Sequence, residues 1–276
     1  MSAPITHGPA DPATALQAFE ERLLARFGKI ERRIDQLSLN VIRQLEAFIQ
    51  LHSCLGPILA PLHGWAISAD LALLLVRLIQ AEPPDLVVEF GSGVSTSVLL
   101  AALGLAFGEG AGSEPATRLI AFEHLPHCHA ATEELIRVSP NRHWAQVRLA
   151  PFEPWSDPSG EYSFYGGLEA IRACLAPLRR LKRSLRLLVF VDGPPGTTNA
   201  RARYPALPAL LEQLDLGSGE GPNLEVNLIL DDFERREERE VASAWGDLLQ
   251  ARGIRYRRSE LITENGTLRL SWESCL

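Results

Sequence analysis

Leu86-Val87-Val88-Glu89-Phe90-Gly91-Ser92-Gly93-Val94-Ser95-Thr96-Ser97-Val98-Leu99-Leu100 compresses a strand, a turn and a helix start into one short stretch. Its first five residues are apolar except Glu89, the length and character of a buried strand. Gly91 and Gly93 let the backbone turn sharply and approach a ligand closely, and Ser95 and Thr96 are placed to cap the helix that follows. A strand, a glycine turn and a helix in this order form the cradle with which α/β folds hold nucleotide-like ligands.

The charge of that cradle narrows the ligand. A diphosphate docked on a helix N-terminus wants a third glycine near position 96 and no anion beside it. Position 96 is Thr, Glu89 puts a carboxylate at the strand end, and residues 89–100 contain no Lys or Arg. Such a site repels phosphate and favours a ligand carrying ammonium and sulfonium charges, as S-adenosyl-L-methionine does. Glu89, Gly91, Ser92, Gly93, Ser95 and Thr96 are the first candidate cofactor contacts.

East and west of this stretch the pattern alternates. Strands are expected at about 86–90, 118–123, 146–150, 186–192 and 224–231, with helices at roughly 95–106, 129–137, 167–182, 205–215 and 235–252. Alternation of this kind predicts right-handed crossovers and a parallel sheet covered on both faces. Arg255 to Ile262 and Thr267 to Trp272, joined by Glu264-Asn265-Gly266, read as a closing hairpin with an Asn-Gly turn. The fold class is therefore α/β: a Rossmann-like, doubly wound, mostly parallel seven-stranded sheet with a C-terminal antiparallel hairpin.

Ahead of that domain, residues 1–13 have the Pro, Ala and Gly content of a disordered leader. Over 14–60 the chain reads as an N-terminal helical, coiled-coil-like arm. Leu16, Phe19, Leu23, Phe27, Ile30, Ile34, Leu37, Val41, Leu45 and Phe48 recur at spacings of three and four, with Gly28 as an interruption. The arm either joins copies of the chain into a homo-oligomer or packs on its own domain, and the period alone does not choose. Gly56-Pro57 and Pro61 end it, a connector from Leu62 to Ser68 contains Trp65, and a helix over 70–80 has Ser68 as N-cap. The catalytic domain is expected over 61–276.

Composition bounds the function. With 46% hydrophobic and 22% charged residues in 276, the chain has enough material for one large domain plus an appendage. A net charge of −7 argues against nucleic acid as the main partner. The local clusters Arg179, Arg180, Lys182, Arg183, Arg186 and Arg252, Arg255, Arg257, Arg258 read as solvated faces. No apolar run is long and charge-free enough for a membrane span and no signal pattern opens the chain, so a cytoplasmic protein is expected. Cys54, Cys128, Cys174 and Cys275 lack paired spacing, which suits free thiols. Residues 107–117 read as a surface loop.

In an open α/β sheet the ligand sits at the carboxyl ends of the strands. Four of the five runs end in acids. Glu123, closing the second, is the candidate acceptor for ribose hydroxyls. After the third, Pro151-Phe152-Glu153-Pro154-Trp155 offers aromatics for adenine, or simply a packed Pro-rich connector. The fourth delivers Asp192-Gly193-Pro194-Pro195-Gly196, in which glycine and prolines hold the carboxylate stiffly at the cleft. Asp192 is placed to face the cofactor, to act as a base, or to bind metal. The fifth ends in Asp231-Asp232, and with Asp192 these make a three-carboxylate set suited to Mg²⁺. His124, His127, Cys128 and His129 fit no zinc spacing. No Gly-x-Ser-x-Gly elbow supports a hydrolase.

Taken together, Glu89 to Thr96, Phe122-Glu123-His124, Val191 to Gly196, Arg203-Tyr204-Pro205-Ala206-Leu207-Pro208 and Leu230-Asp231-Asp232 resemble a group of bacterial class I S-adenosylmethionine-dependent methyltransferases, over roughly 62–276. The resemblance implies that His124 joins Glu123 at the cofactor, and it says little about the substrate; Asp192, Asp231 and Asp232 are expected to face the acceptor, and an oxygen of a small molecule or sugar is the acceptor expected. Catechol-type O-methyltransferases hold a divalent metal with acids at these strand ends, but the lysine they carry soon after the fourth-strand acid is replaced here by Pro194, Pro195 and Gly196. Leu125 stands where an acid is expected. Two other functions stay open: a nicotinamide-dependent oxidoreductase, which Glu89 and Thr96 oppose, and a non-catalytic scaffold with a vestigial cofactor fold.

Overall fold

The computed structural model describes residues 12–56, 66–108, 117–181, 183–214 and 222–275. Residues 1–11 of the expected leader, Pro57 and Pro61 with Leu62 to Trp65 of the connector, residues 109–116 of the loop at 107–117, and Lys182 lie outside them. The chain divides into two compact units, residues 1–46 and 47–276, and the division falls inside the first helix.

That helix, α1 (Pro12–Leu55), is longer than its apolar spacing marks out, and Gly28 does not interrupt it. Nothing lies within 4 Å of the place a Cβ would take at Gly28, so the missing side chain leaves a helical backbone that its neighbours sustain. No described helix is long and apolar enough to cross a membrane.

In the second unit α2 (Ala69–Ala81) leads into β1 (Leu86–Phe90), followed by α3 (Val94–Phe107), β2 (Leu119–Glu123), α4 (Pro126–Arg137) and β3 (Ala145–Leu149). Ser68 is the residue before α2, but its hydroxyl donates to Asp70 Oδ1 at 2.7 Å rather than capping. Asp70 is the group that accepts a first-turn amide, from Leu71 at 2.9 Å.

Next comes a hairpin the sequence reading treats as a connector, β4 (Phe152–Asp157) and β5 (Gly160–Tyr165), paired with each other in a separate two-stranded sheet. Then follow α5 (Glu169–Leu178), β6 (Leu185–Val191), α6 (Ala206–Leu214), β7 (Asn223–Leu230), α7 (Arg236–Ala251), β8 (Tyr256–Leu261) and β9 (Thr267–Cys275).

The main sheet has the order β3-β2-β1-β6-β7-β9-β8, with β1, β2, β3, β6 and β7 parallel and β9 antiparallel to both of its neighbours, β7 and β8. The expected seven strands and closing hairpin are present. The hairpin loop is wider than a two-residue Asn-Gly turn: it spans residues 262–266, and only Gly266 takes a positive φ, +69°.

Pleating sends alternate residues of each strand to opposite faces. Leu86, Val88 and Phe90 join the core under α5, α6 and α7, while Val87 packs with α2 and α3 on the other face. Glu89 shares the face of Val87. The strand order reverses between β1 and β6, and at such a switch point the loops after both strands diverge and open a crevice at their carboxyl ends.

Candidate active site

At the head of β1 the Glu89 carboxyl is completely buried. Thr96 donates to its Oε2 at 2.7 Å and the Ser95 hydroxyl also favours the charged form, but Oε1 has no hydrogen-bond partner. Burial pushes its pKa up to about 8, with Asp192 and Glu123 adding to the rise against the two hydroxyls. At pH 7 the group therefore mostly holds its proton. Thr96 caps α3 as expected, as the third-residue member of a capping box, while Ser95 turns towards Glu89. Gly93 is the cap residue, and Thr96 Oγ1 accepts the Gly93 amide at 3.0 Å while donating to Glu89.

Gly91 has φ +98°, and a Cβ there would sit 3.2 Å from the Gly193 amide nitrogen. The loops after β1 and β6 thus meet backbone to backbone. Asp192 and Gly193 both donate their amides to the Phe90 carbonyl, at 3.0 and 2.7 Å. This is a physical reason for glycine on each side of the crevice: a side chain on either would force the strand ends apart.

Glu123 closes β2 with its carboxylate pinned. Leu125 donates its amide to Oε1 at 2.9 Å, Ser92 its hydroxyl to Oε2 at 3.3 Å, and Ser92 in turn meets Thr132 at 3.0 Å. His124 lies flat on Phe152, ring centroids 4.1 Å apart and planes within 11°. Burial lowers the His124 pKa, with Glu123 opposing it, so the ring is neutral at pH 7. Tyr165, from β5, packs edge-on to both rings. Its buried hydroxyl reaches Gly193, where a Cβ would collide with it, and burial beside Glu123, Asp192 and Glu89 raises its pKa well above the ordinary phenol value.

Asp192, Asp231 and Asp232 converge, one oxygen from each lying within 4.8 Å of the others. A cation is already among them. Arg203, buried to 4% exposure, donates through Nη2 to Asp232 at 2.9 Å and Asp192 at 3.3 Å, and through Nη1 to the Asp231 carbonyl at 2.9 Å. Glu238 lies 3.7 Å from its Nε, and Arg235 reaches Asp232 at 2.8 Å. Burial alone would lower the Arg203 pKa, but Asp192, Asp232, Glu238 and Asp231 outweigh it and raise it. Burial, together with Asp192 and Asp232, pushes Asp231 up to about 8, and burial likewise raises Asp192. Asp232 takes a left-handed φ of +58°, a conformation Asp tolerates better than most residues, and its amide donates to Asp231 Oδ1 at 2.6 Å. Only Asp192 of the three keeps an accessible side chain, at 26%.

No protein-family model matches the sequence, and no curated protein matches it significantly. Solved structures do. The SAH-bound Podospora anserina methyltransferase PaMTH1 superposes with a TM-score of 0.51 at 13% identity, over 88% of this chain and 96% of that one. A human methyltransferase 10 domain containing protein gives 0.51 at 10% identity over 83% and 93%, and a delta-N METTL16 MTase domain 0.50 at 10% identity over 83% and 94%. The chain has a Rossmann-like methyltransferase fold. At these identities the likeness is one of architecture.

Within this methyltransferase fold, all the acids singled out from strand ends arrive at one end of the sheet: Glu89, Glu123, Asp192, Asp231 and Asp232. Glu153 points elsewhere, covering Gly166 on the outside of the hairpin. His129 Nε2 lies 3.1 Å from the Val147 carbonyl and His124 faces Phe152, so the histidines do not converge on a metal. Three members of the first basic cluster have partners: Arg183 with Asp85, Arg186 with Glu225 at 3.0 Å, and Arg179 with the Leu214 carbonyl at 2.7 Å.

Two residues were missed. Tyr165 carried a readable signal, because Tyr162, Phe164 and Tyr165 follow a Pro-Ser-Gly turn with apolar alternation. Arg203 appeared only as part of a motif, and four converging acids require a buried cation that nothing local in the sequence assigns to it.

Proposed function

We propose that the chain is a class I S-adenosylmethionine-dependent methyltransferase acting on an oxygen of a small-molecule or sugar acceptor. The carrying observation is Glu89: a buried carboxyl with one unpartnered oxygen, at the head of a glycine turn without a single cation from 89 to 100. A buried polar group left unsatisfied costs about 1–3 kcal/mol, which an arriving donor relieves once the carboxyl has given up its proton. Ionised, the same carboxylate favours a cationic ligand over the diphosphate of a nicotinamide dinucleotide.

The other groups fit that ligand. Glu123, held by Leu125 and Ser92, is oriented to accept ribose hydroxyls. Ser92, Gly91 and Gly93 supply the close backbone. Neutral His124, stacked on Phe152, offers an aromatic wall for adenine. When bound, the cofactor supplies an electrophilic methyl group, and the chain's task is to align the acceptor oxygen with it. Asp192 is the acid that faces the acceptor and takes its proton. Asp231 and Asp232 act through Arg203, which holds the ends of β6 and β7 together.

The three acids do not fit Mg²⁺. That ion demands octahedral oxygen ligands at about 2.0–2.1 Å, and the buried Arg203 guanidinium stands among the carboxylates as their counter-charge. No step is routed through a metal.

Calorimetry decides between the readings. Micromolar binding of S-adenosylhomocysteine that collapses in Glu123→Ala supports the proposal. Preference for NAD points to an oxidoreductase, and binding of neither to a scaffold. A screen of hydroxylated acceptors with labelled methyl donor then identifies the substrate.

A further inference from the structure

Among the described residues, the unit formed by residues 1–46 contains α1 up to Glu46 and nothing else; the last residues of the helix, Phe48 included, belong to the second unit. The stripe from Leu16 to Phe48 is 40–60% exposed at every position. At 100° per residue the ten side chains fall within a sector of about 80°, one straight seam along about 48 Å of helix. Within its own unit no described residue covers that seam. A lone amphipathic helix that leaves such a face in water is short of the packing that stabilises most protein helices.

The stripe and its flanks carry different information. Its spacings, 3, 4, 4, 3, 4, 3, 4, 4, 3, read the same in either direction. Apolar layers would therefore match in a parallel pair and in an antiparallel pair alike. Orientation must come from the charges beside the seam, and these are segregated. About 60–120° to one side of the stripe lie Glu20, Glu31 and Asp35; the same distance to the other side lie Arg22, Arg26, Lys29 and Arg33. A two-fold axis along the helices sets the acidic flank of each copy against the basic flank of the other. A two-fold axis across them sets acid against acid and base against base. Charges flanking an apolar seam decide partner and orientation in this way.

We propose that α1 pairs with α1 of a second copy as a parallel, in-register, two-stranded coiled coil, making the protein a dimer. One helix supplies both the seam and the complementary flanks, so a partner of different chemistry is unnecessary. Closed two-fold dimers are the commonest oligomers.

Light scattering on the full chain should return twice the 30.4 kDa chain mass. In a Cys54→Ser background, oxidised Leu23→Cys should give a covalent dimer on a non-reducing gel, because like positions face each other in register. In an antiparallel pair position 23 lies opposite 41, and only a mixture of Leu23→Cys and Val41→Cys chains would cross-link. Glu31→Lys with Asp35→Lys replaces attraction by repulsion on both sides of the dimer and should weaken it about ten-fold or more. Adding Lys29→Glu and Arg33→Glu to the same chain should restore it. A monomer, a larger oligomer, cross-linking only in the 23/41 mixture, or a dimer indifferent to the charge reversal would each overturn the proposal.

Discussion

Glu89→Gln separates the electrostatics of the pocket from its shape. The Glu89 pKa of about 8 lies about 3.5 units above its ordinary 4.5, and burial is the principal cause. A raised carboxyl favours the folded state in its neutral form. That stabilisation is fully present below pH 4.5 and is lost progressively as pH rises towards 8. At about 1.36 kcal/mol per unit, the loss between pH 5 and pH 8 amounts to roughly 3–4 kcal/mol from this one group. The side chain is fully buried, so solvent screening does not reduce the figure. Gln keeps the shape, accepts the Thr96 hydroxyl through its carbonyl, and cannot titrate. Its amide would occupy the place of the unpartnered Oε1, a pH-independent cost of about 1–3 kcal/mol. Urea denaturation of both proteins at half-unit steps from pH 5 to 8.5 isolates the group, because other titrations cancel in the difference. The wild type should lose stability relative to the variant by the stated amount. The variant should also bind S-adenosylmethionine more weakly, and wild-type binding should tighten towards pH 8 and release a proton, read by calorimetry in buffers of different ionisation heat. Parallel stability curves for the two proteins would refute the neutral-acid reasoning outright.

Arg203→Met leaves Asp192, Asp231, Asp232 and Glu238 facing one another without their shared cation. A loss of about 3–5 kcal/mol is expected in urea denaturation at pH 7, and a loss below about 1 kcal/mol would mean the acids are neutral without it. Gly193→Ala drives a methyl group into the Tyr165 hydroxyl and should destabilise by about 1–3 kcal/mol; Tyr165→Phe in the same chain should recover most of it, and strictly additive effects would show that the two do not touch. Chelator should leave turnover unchanged and added Mg²⁺ should not shift the thermal midpoint, since Arg203 holds the acid triad; a fall in turnover with chelator, reproduced by Asp231→Asn, would instead identify a metal enzyme.

What the sequence disclosed, and what it hid, follows from the range of the forces involved. Strands β1, β2, β6 and β7 were readable because strands buried on both faces have near-continuous apolar runs, and their terminal acids stood out against that background. The β4–β5 hairpin was hidden by its prolines and exposed acids, since only one of its faces is packed, yet it delivers Tyr165 and Phe152 to the crevice. The charge state of Glu89 was beyond any local reading. A carboxylate at a strand end looks ionised until the burial around it is known, and here burial converts a fixed anion into a group that ionises on demand. Arg203 shows the same limit from the other side. The sequence offers Asp192, Asp231 and Asp232 as a metal-like set because their convergence follows from strand order, which is legible. The side chain that neutralises them comes from the turn before α6, and long-range packing alone brings it there. Acids placed by the sheet and a cation placed by the loop therefore have to be considered together before any ligand is assigned to the crevice, and that pairing is why the proposed function takes Asp231 and Asp232 as supports for Asp192 and not as metal ligands.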